Sequence, residues 1–503
     1  MHRRSQQCAL ALGKLGVKPG SIVATLAWNT ARHMECWYGI IGLGAVCHTL
    51  NPRLHPSQLT YIANHAKDCV VMLDLTFVDL MAALRPKLPS VKAYILLTDH
   101  AHMPANCPLS DALCYEDIIE AQRSSLPFHW RPRDENAACG LCYTSGTTGL
   151  PKGVMYSHRA NYLHAMMCLM PDALCVSSGS TVLPIVPLFH ANSWGLVFAA
   201  PLVGAKIVFP GPHLDGASLH RLLEEHQVTT TAAVPTVWLG LLQYMEAHNL
   251  RLTSLKLTCI GGAACPPSMI TAFERKHKVE VRHMWGMTET CPLGSMGGLK
   301  GTLGKLGPEE TLAIKSKQGR PHPFVDMRIV DDADREQPRD GKAYGNLQVR
   351  GGIVVQRYFR HDGDHNVDPD GWFTTGDVAT IDKFGHMQIT DRSKDVIKSG
   401  GEWISSIEIE NVAVSFPKVR EAAVIAMASE KWGERPLLVV VPHETNKPTK
   451  DEILAFLEDK IAKYWMPDDV VFVNEIPHTG TGKISKLELR EQFKNHKPER
   501  PRL

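Results

Sequence analysis

Apolar and polar positions follow two recurring periods along this chain. Short, almost unbroken apolar runs fall at 21–27, 46–50, 69–73, 94–97 and 181–187. Between them apolar residues recur every three or four positions, as Met34, Trp37, Ile40 and Ile41 do within 32–43. The first pattern predicts buried strands and the second amphipathic helices. Further helices are predicted over 77–84 and 219–226. Strands and helices alternating in this way build parallel sheets with helices on both faces. Ligands of such sheets sit beyond the carboxyl ends of the strands.

The rhythm changes near residue 330. Over 330–371 short β runs alternate with the turn clusters 331–334 and 361–364, which predicts a small antiparallel subdomain. A compact unit follows, with helices predicted over 406–413 and 451–464 and strands over 422–426, 437–441 and 470–473. The expected fold class is α/β: a large N-terminal domain of parallel-rich sheets with flanking helices plus a small β subdomain, and a small α+β C-terminal domain.

Composition narrows the function classes. With 54 Lys+Arg against 52 Asp+Glu over 503 residues the net charge is +2. That balance argues against a nucleic-acid partner and against a polybasic membrane surface. A hydrophobic share of 44% with 21% charged residues excludes wholesale disorder. The 13 cysteines stand at irregular spacing, as expected in a reducing compartment. No apolar signal core follows Met1, and no run reaches the roughly 18 apolar residues of a spanning helix. A cytoplasmic protein is expected, with peripheral membrane contact and a homodimer left open. Cys139 and Cys142 form a Cys-x-x-Cys without a second pair, so they read as small buried residues. Neither a His-Glu-x-x-His nor a Gly-x-Ser-x-Gly occurs, which removes the common zinc-protease and hydrolase signatures.

The strongest chemical signal is a loop, Tyr143-Thr144-Ser145-Gly146-Thr147-Thr148-Gly149-Leu150-Pro151-Lys152-Gly153. Its glycines let backbone N–H groups approach an anion, its hydroxyls donate to phosphate oxygens and Lys152 adds charge. The spacing is not that of a Walker loop.

This loop resembles the phosphate-loop signature of the adenylate-forming superfamily, which includes acyl-CoA synthetases, luciferases and peptide-synthetase adenylation domains. Further motifs of that family appear in order: Trp285-Gly286-Met287-Thr288-Glu289-Thr290, Gly371-Trp372-Phe373-Thr374-Thr375-Gly376-Asp377, a hinge motif from Asp391 to Glu402, and Thr479-Gly480-Thr481-Gly482-Lys483. The resemblance implies ATP, Mg2+ and coenzyme A as cofactors, and a small-molecule carboxylic acid as substrate. It places catalytic roles on Lys483, Glu289, Thr288 and Lys398, and assigns the metal to Thr148 and Glu289. Nucleotide contacts are implied for the phosphate loop from Thr144 to Gly149, for Lys152, Gly262, Ala263, Gly286 and Met287, and for Asp377 and Arg392 at the ribose. Trp285 is expected against adenine. Lys394 is the implied hinge, with a mobile C-terminal domain turning about 392–396: residues 1–391 on one side, with a β subdomain near 325–391, and 397–503 on the other. After that rotation the segment from Lys398 through Gly400 and Gly401 is expected to form the thiol channel.

The substrate wall is expected from His190, Trp194, Val234 and Ala264. The segment Pro187 to Gly195 resembles the gate of fatty acyl-CoA synthetases, with Trp194 as the gate residue, and it lacks the acid that would pair an α-amino group. The whole resembles medium- and long-chain fatty acyl-CoA ligases, a subgroup that also holds ligases for short methylthio-alkanoates. A luciferase-like oxygenase or a non-catalytic adenylate-binding protein is the alternative class. Members of the family begin further upstream, so the chain is expected to lack elements that open the first lobe.

Overall fold

The computed structural model describes residues 1–125, 128–130, 134–144, 150–304, 306–363, 365–399, 402–429, 431–443, 447–458, 460–478, 483–496 and 498. The first sheet orders its strands Leu113–Cys114, Ala93–Leu96, Val70–Leu73, Ile22–Leu26, Val46–Thr49, Ala138–Tyr143 and Gly153–Ser157. Every pairing is parallel except the last, which turns back through the phosphate loop. The strands read as continuous apolar runs because helices cover both faces. On one face the helix His2–Lys14 lies on Ala31–Gly42, so close that a Cβ at Gly39 would stand 2.8 Å from Cys8 Sγ.

The second sheet has a parallel core, with Lys206–Ile207, Thr181–Pro184, Thr230–Ala233, Leu257–Ile260 and Glu280–Gly286 in that order. Leu293–Met296 and Arg320–Pro321 extend it antiparallel. The run expected to be extended over 181–187 leaves the sheet at Pro184, a residue with no N–H for a further ladder bond.

A four-stranded antiparallel sheet follows, Asp326–Val330, Gly345–Arg350, Phe373–Ile381 and Met387–Arg392. The last sheet pairs the long strands Val419–Ser429 and Gly433–Pro442, flanked by Ile397–Ser399 and Asp469–Phe472. Helices Ser406–Val414 and Lys450–Glu458 cover it. The second helix, expected over 451–464, spans Lys450–Glu458 among the described residues, and a short turn, Lys463–Trp465, follows it.

Both parallel sheets aim their carboxyl ends at one place. Val46–Thr49 leads to Asn51, Ala138–Tyr143 to Thr144, Thr230–Ala233 to Val234, Leu257–Ile260 to Gly261 and Glu280–Gly286 to Thr288, and all of these exits line the same cavity.

Candidate active site

The cavity holds about 740 Å³, and Tyr358, Phe359 and Lys483 are among the residues that line it. Its most constrained wall is the turn Thr288–Thr290. A side chain at Gly286 would place Cβ 2.1 Å from the Pro292 carbonyl oxygen, so the strand can enter this turn only as glycine. Tyr156 donates its hydroxyl to the Thr288 carbonyl at 2.7 Å, and the Val355 N–H donates to that of Glu289 at 2.8 Å. These bonds fix the Glu289 side chain toward the cavity. The Tyr358 hydroxyl donates to Glu289 Oε1 at 2.8 Å. Burial raises the Glu289 carboxyl above its ordinary range, and the Tyr358 bond works against that shift. The same ring carries Lys152 Nζ 4.6 Å from its centroid, a cation–π contact that holds the ammonium at the cavity wall.

A second cluster sits where the antiparallel sheet meets the second parallel one. Asp377 is buried and takes two charge-assisted bonds: Arg392 Nε at 2.8 Å from Oδ1 and Trp285 Nε1 at 2.8 Å from Oδ2. Lys483 lines the cavity beside this pair. Burial, with the positive charge of Arg392, draws its ammonium down to about 8, while Asp377 and Glu289 oppose the shift. The cavity lining thus brings together the Lys483 ammonium, the Glu289 carboxylate and the Arg392 guanidinium, with buried Asp377 bonded to that guanidinium.

Another part of the lining is apolar. Ala191, Asn192, Ser193 and Trp194 all take positive φ, between 38 and 59°, before Gly195 at 77°. Such a left-handed turn costs roughly 1–2 kcal/mol per non-glycine residue. It is held by the Ser193 hydroxyl on the Val186 carbonyl at 2.6 Å and by Asn192 Nδ2 on Asn161 Oδ1 at 3.4 Å. The turn delivers the Trp194 ring to the cavity, 3.4 Å from where a Cβ at Gly261 would lie. Val234, Val237, Leu214 and Met284 complete this wall.

Of the residues expected from sequence, Thr144, Lys152, His190, Trp194, Val234, Gly262, Gly286, Met287, Thr288, Glu289, Arg392 and Lys483 all line the cavity. Ser145, Gly146, Thr147, Thr148, Gly149, Gly400 and Gly401 lie outside the described residues. Trp285 is placed differently from these residues. Its ring is buried against Gly294, where a Cβ would come within 2.2 Å of it, and it does not line the cavity; its indole orients Asp377 instead. Ala263 is exposed and Ala264 is half-buried, and neither lines the cavity, because the chain turns away after Gly262 at φ 81°. Lys394 and Lys398 are exposed and do not line it.

Sequence reasoning missed Tyr358, which stands 69 residues from its partner Glu289 in a stretch without a motif. It also missed His65, whose Nδ1 lies 2.7 Å from the Tyr143 hydroxyl at the entry to the phosphate loop. An aromatic immediately before a Gly/Thr loop was the available signal for the second pair.

Residues 1–359 match the family model of the AMP-binding enzyme, and residues 408–483 match that of the AMP-binding enzyme C-terminal domain. The medium-chain-fatty-acid–CoA ligase of Ectopseudomonas oleovorans is 47% identical over 490 residues, 97% of this chain and 89% of that protein. The 3-methylmercaptopropionyl-CoA ligase of Ruegeria lacuscaerulensis is 47% identical over 492 residues, covering 96% and 89% respectively. The long-chain-fatty-acid–CoA ligase of Thermus thermophilus is 45% identical over 501 residues, covering 99% and 90%. Among solved structures, an anthranilate CoA ligase in complex with anthranoyl-AMP superposes with a TM-score of 0.87 at 25% identity, over 98% of this chain and 91% of that one. The chain therefore belongs to the AMP-binding enzyme family and is an AMP-forming acid–thiol ligase, for which ATP and coenzyme A are substrates.

Proposed function

We propose that this enzyme activates a neutral apolar carboxylic acid, a medium- to long-chain fatty acid, in two steps within the cavity described. In the first, a carboxylate oxygen of the acid attacks the α-phosphorus of ATP, the bond to the bridging oxygen breaks, and pyrophosphate leaves. In the second, the thiolate of coenzyme A attacks the acyl carbonyl and AMP leaves. The observation that carries this reading is the make-up of the cavity: Lys483, Arg392 and Glu289 line it together with an apolar wall of Trp194, Val234, Val237 and Met284.

Each residue then has a task. Lys483 brings its ammonium between the two anions, carboxylate and α-phosphate, whose repulsion otherwise opposes attack. Arg392 and Trp285 hold Asp377 so that its carboxylate accepts from ribose hydroxyls. Lys152 and the Thr144 segment take the terminal phosphates. Glu289 fits a Mg2+ ligand, since it is a buried carboxylate at the cavity wall whose ionised form a dication would favour. Mg2+ bound there would offset polyphosphate charge.

The second step uses a different arrangement of the same chain. Residues 397–503 turn about a hinge at 392–396, with Lys394 at its centre. Lys483 is withdrawn, and the segment from Lys398 to Glu402 meets the incoming thiol. A shorter methylthio acid is the second reading, favoured by the relative of that specificity at 47% identity and by the bulk of Trp194 in the apolar wall.

The test is pyrophosphate release from Mg-ATP over straight-chain acids of graded length and methylthiopropionate, with and without coenzyme A. The reading expects AMP and pyrophosphate with a maximum among the medium to long acids. ADP and phosphate as products, or activity on charged acids alone, would overturn it.

A further inference from the structure

Three residues beyond Lys483 the chain buries a second lysine. Lys486 opens the helix Lys486–Gln492, and its ammonium lies 2.8 Å from Glu410 Oε1 and against the Ser406 hydroxyl. Ser406 is fully buried, and its hydroxyl lies 2.5 Å from Asp391 Oδ2, which also accepts the Ser406 N–H at 2.8 Å. A hydroxyl has one proton and accepts through its lone pairs. The chain therefore runs in one direction: Lys486 donates to Ser406, and Ser406 donates to Asp391. Next to it the Ser405 hydroxyl donates to the Thr390 carbonyl at 2.5 Å.

These partners stand on opposite sides of the hinge. Thr390 and Asp391 belong to the strand Met387–Arg392 of the antiparallel sheet, whereas Ser405, Ser406, Glu410 and Lys486 belong to the C-terminal unit. One turn along the same helix, Arg490 Nη1 meets Asp395 Oδ1 at 2.6 Å. The helix that follows Lys483 is thus tied at Lys486, through the Ser406 hydroxyl, to a residue before the hinge and pinned at Arg490 to a residue within it. Burial disfavours the ionised forms of both Asp391 and Glu410, and the Lys486 ammonium between them works in the opposite direction.

We propose that Asp391, Ser406 and Lys486 form a latch across the hinge, with Lys486 as a positioning residue that holds Lys483 at the cavity during adenylate formation. The latch rests on the two-arrangement reading above. Rotation of the C-terminal unit carries Lys486 and Glu410 away together and separates both from Asp391, so the latch stabilises the first arrangement and not the second. It sets how readily the enzyme passes from acyl-adenylate to thioester.

The test separates the half-reactions in the full chain. Adenylate formation is read by ATP–pyrophosphate exchange, and thiolation by thioester yield from supplied acyl-adenylate and coenzyme A. Asp391→Asn and Lys486→Met are expected to slow exchange about tenfold to a hundredfold, the range for losing one charge-assisted buried hydrogen bond, and to leave thiolation unchanged. Lys486→Arg is expected to restore most of the exchange rate. The ratio of the two rates does not depend on the fraction of protein folded, so a variant of low yield still reports. Equal loss of both half-reactions, or no loss in either, would overturn the latch while leaving the ligase reading intact. A wild-type enzyme without exchange activity would overturn the ligase reading, and the latch with it.

Discussion

Replacing Tyr358 by Phe removes a single oxygen and isolates one interaction. That oxygen donates to Glu289 Oε1 at 2.8 Å, while the ring supports Lys152 at 4.6 Å and packs edge-on against Phe373 at 6.4 Å, contacts that a Phe retains. A hydrogen bond to a charged acceptor contributes about 1.5–3 kcal/mol, which corresponds to roughly a ten- to hundredfold change in an equilibrium that depends on it. The bond favours the ionised carboxyl, whereas burial favours the neutral one. Without the hydroxyl the Glu289 carboxyl titrates at a still higher pH, so less carboxylate is present to bind Mg2+ at any given pH. The Mg2+ concentration for half-maximal pyrophosphate exchange should rise about tenfold or more, and the acid limb of kcat/KM should move to higher pH. An unchanged Mg2+ dependence together with an unmoved acid limb would refute the role assigned to this pair.

Three further outcomes follow from the same geometry. Burial draws the Lys483 ammonium down to about 8, so kcat/KM for adenylation, which reports the free enzyme, should fall as pH rises through that value; a profile level well beyond it would exclude a required ammonium there. The kcat limb should lie higher, because bound polyphosphate stabilises the charge. Trp285→Phe removes the indole N–H from Asp377 and should raise KM for ATP about tenfold with little change in kcat, and an unchanged KM in steady-state titration would refute the positioning role. Trp194→Ala should shift kcat/KM toward longer acids by opening the apolar wall, and an unaltered chain-length profile would show that the ring does not bound the acyl chain.

The sheets were legible because apolar runs such as 69–73 are buried on both faces, and burial leaves no polar alternation to mislead. The cavity's lining was legible where contiguous residues carry it, as from Gly286 to Glu289. Partnerships across long separations were not. Nothing in the sequence links Tyr358 to Glu289 or Asp391 to Lys486, since each pair meets only after sheets far apart in the chain have formed. The direction of the Trp285 ring was not legible for a related reason: the motif fixes its place in the chain, but the ring's direction is set by the space above Gly294 and by the acceptor on Asp377. The left-handed turn at Ala191 to Trp194 was equally hidden, because Asn192 is the one residue of the four that visits positive φ readily. Its anchors at Val186 and Asn161 impose it.

The central claim is that one cavity joins a carboxylate to the α-phosphate of ATP through Lys483. Lys483→Ala, assayed for pyrophosphate exchange and, separately, for thioester formation from supplied acyl-adenylate, tests it most directly. The account predicts that exchange is lost and thiolation persists. Exchange that survives the substitution, or thiolation lost in equal measure, would contradict it.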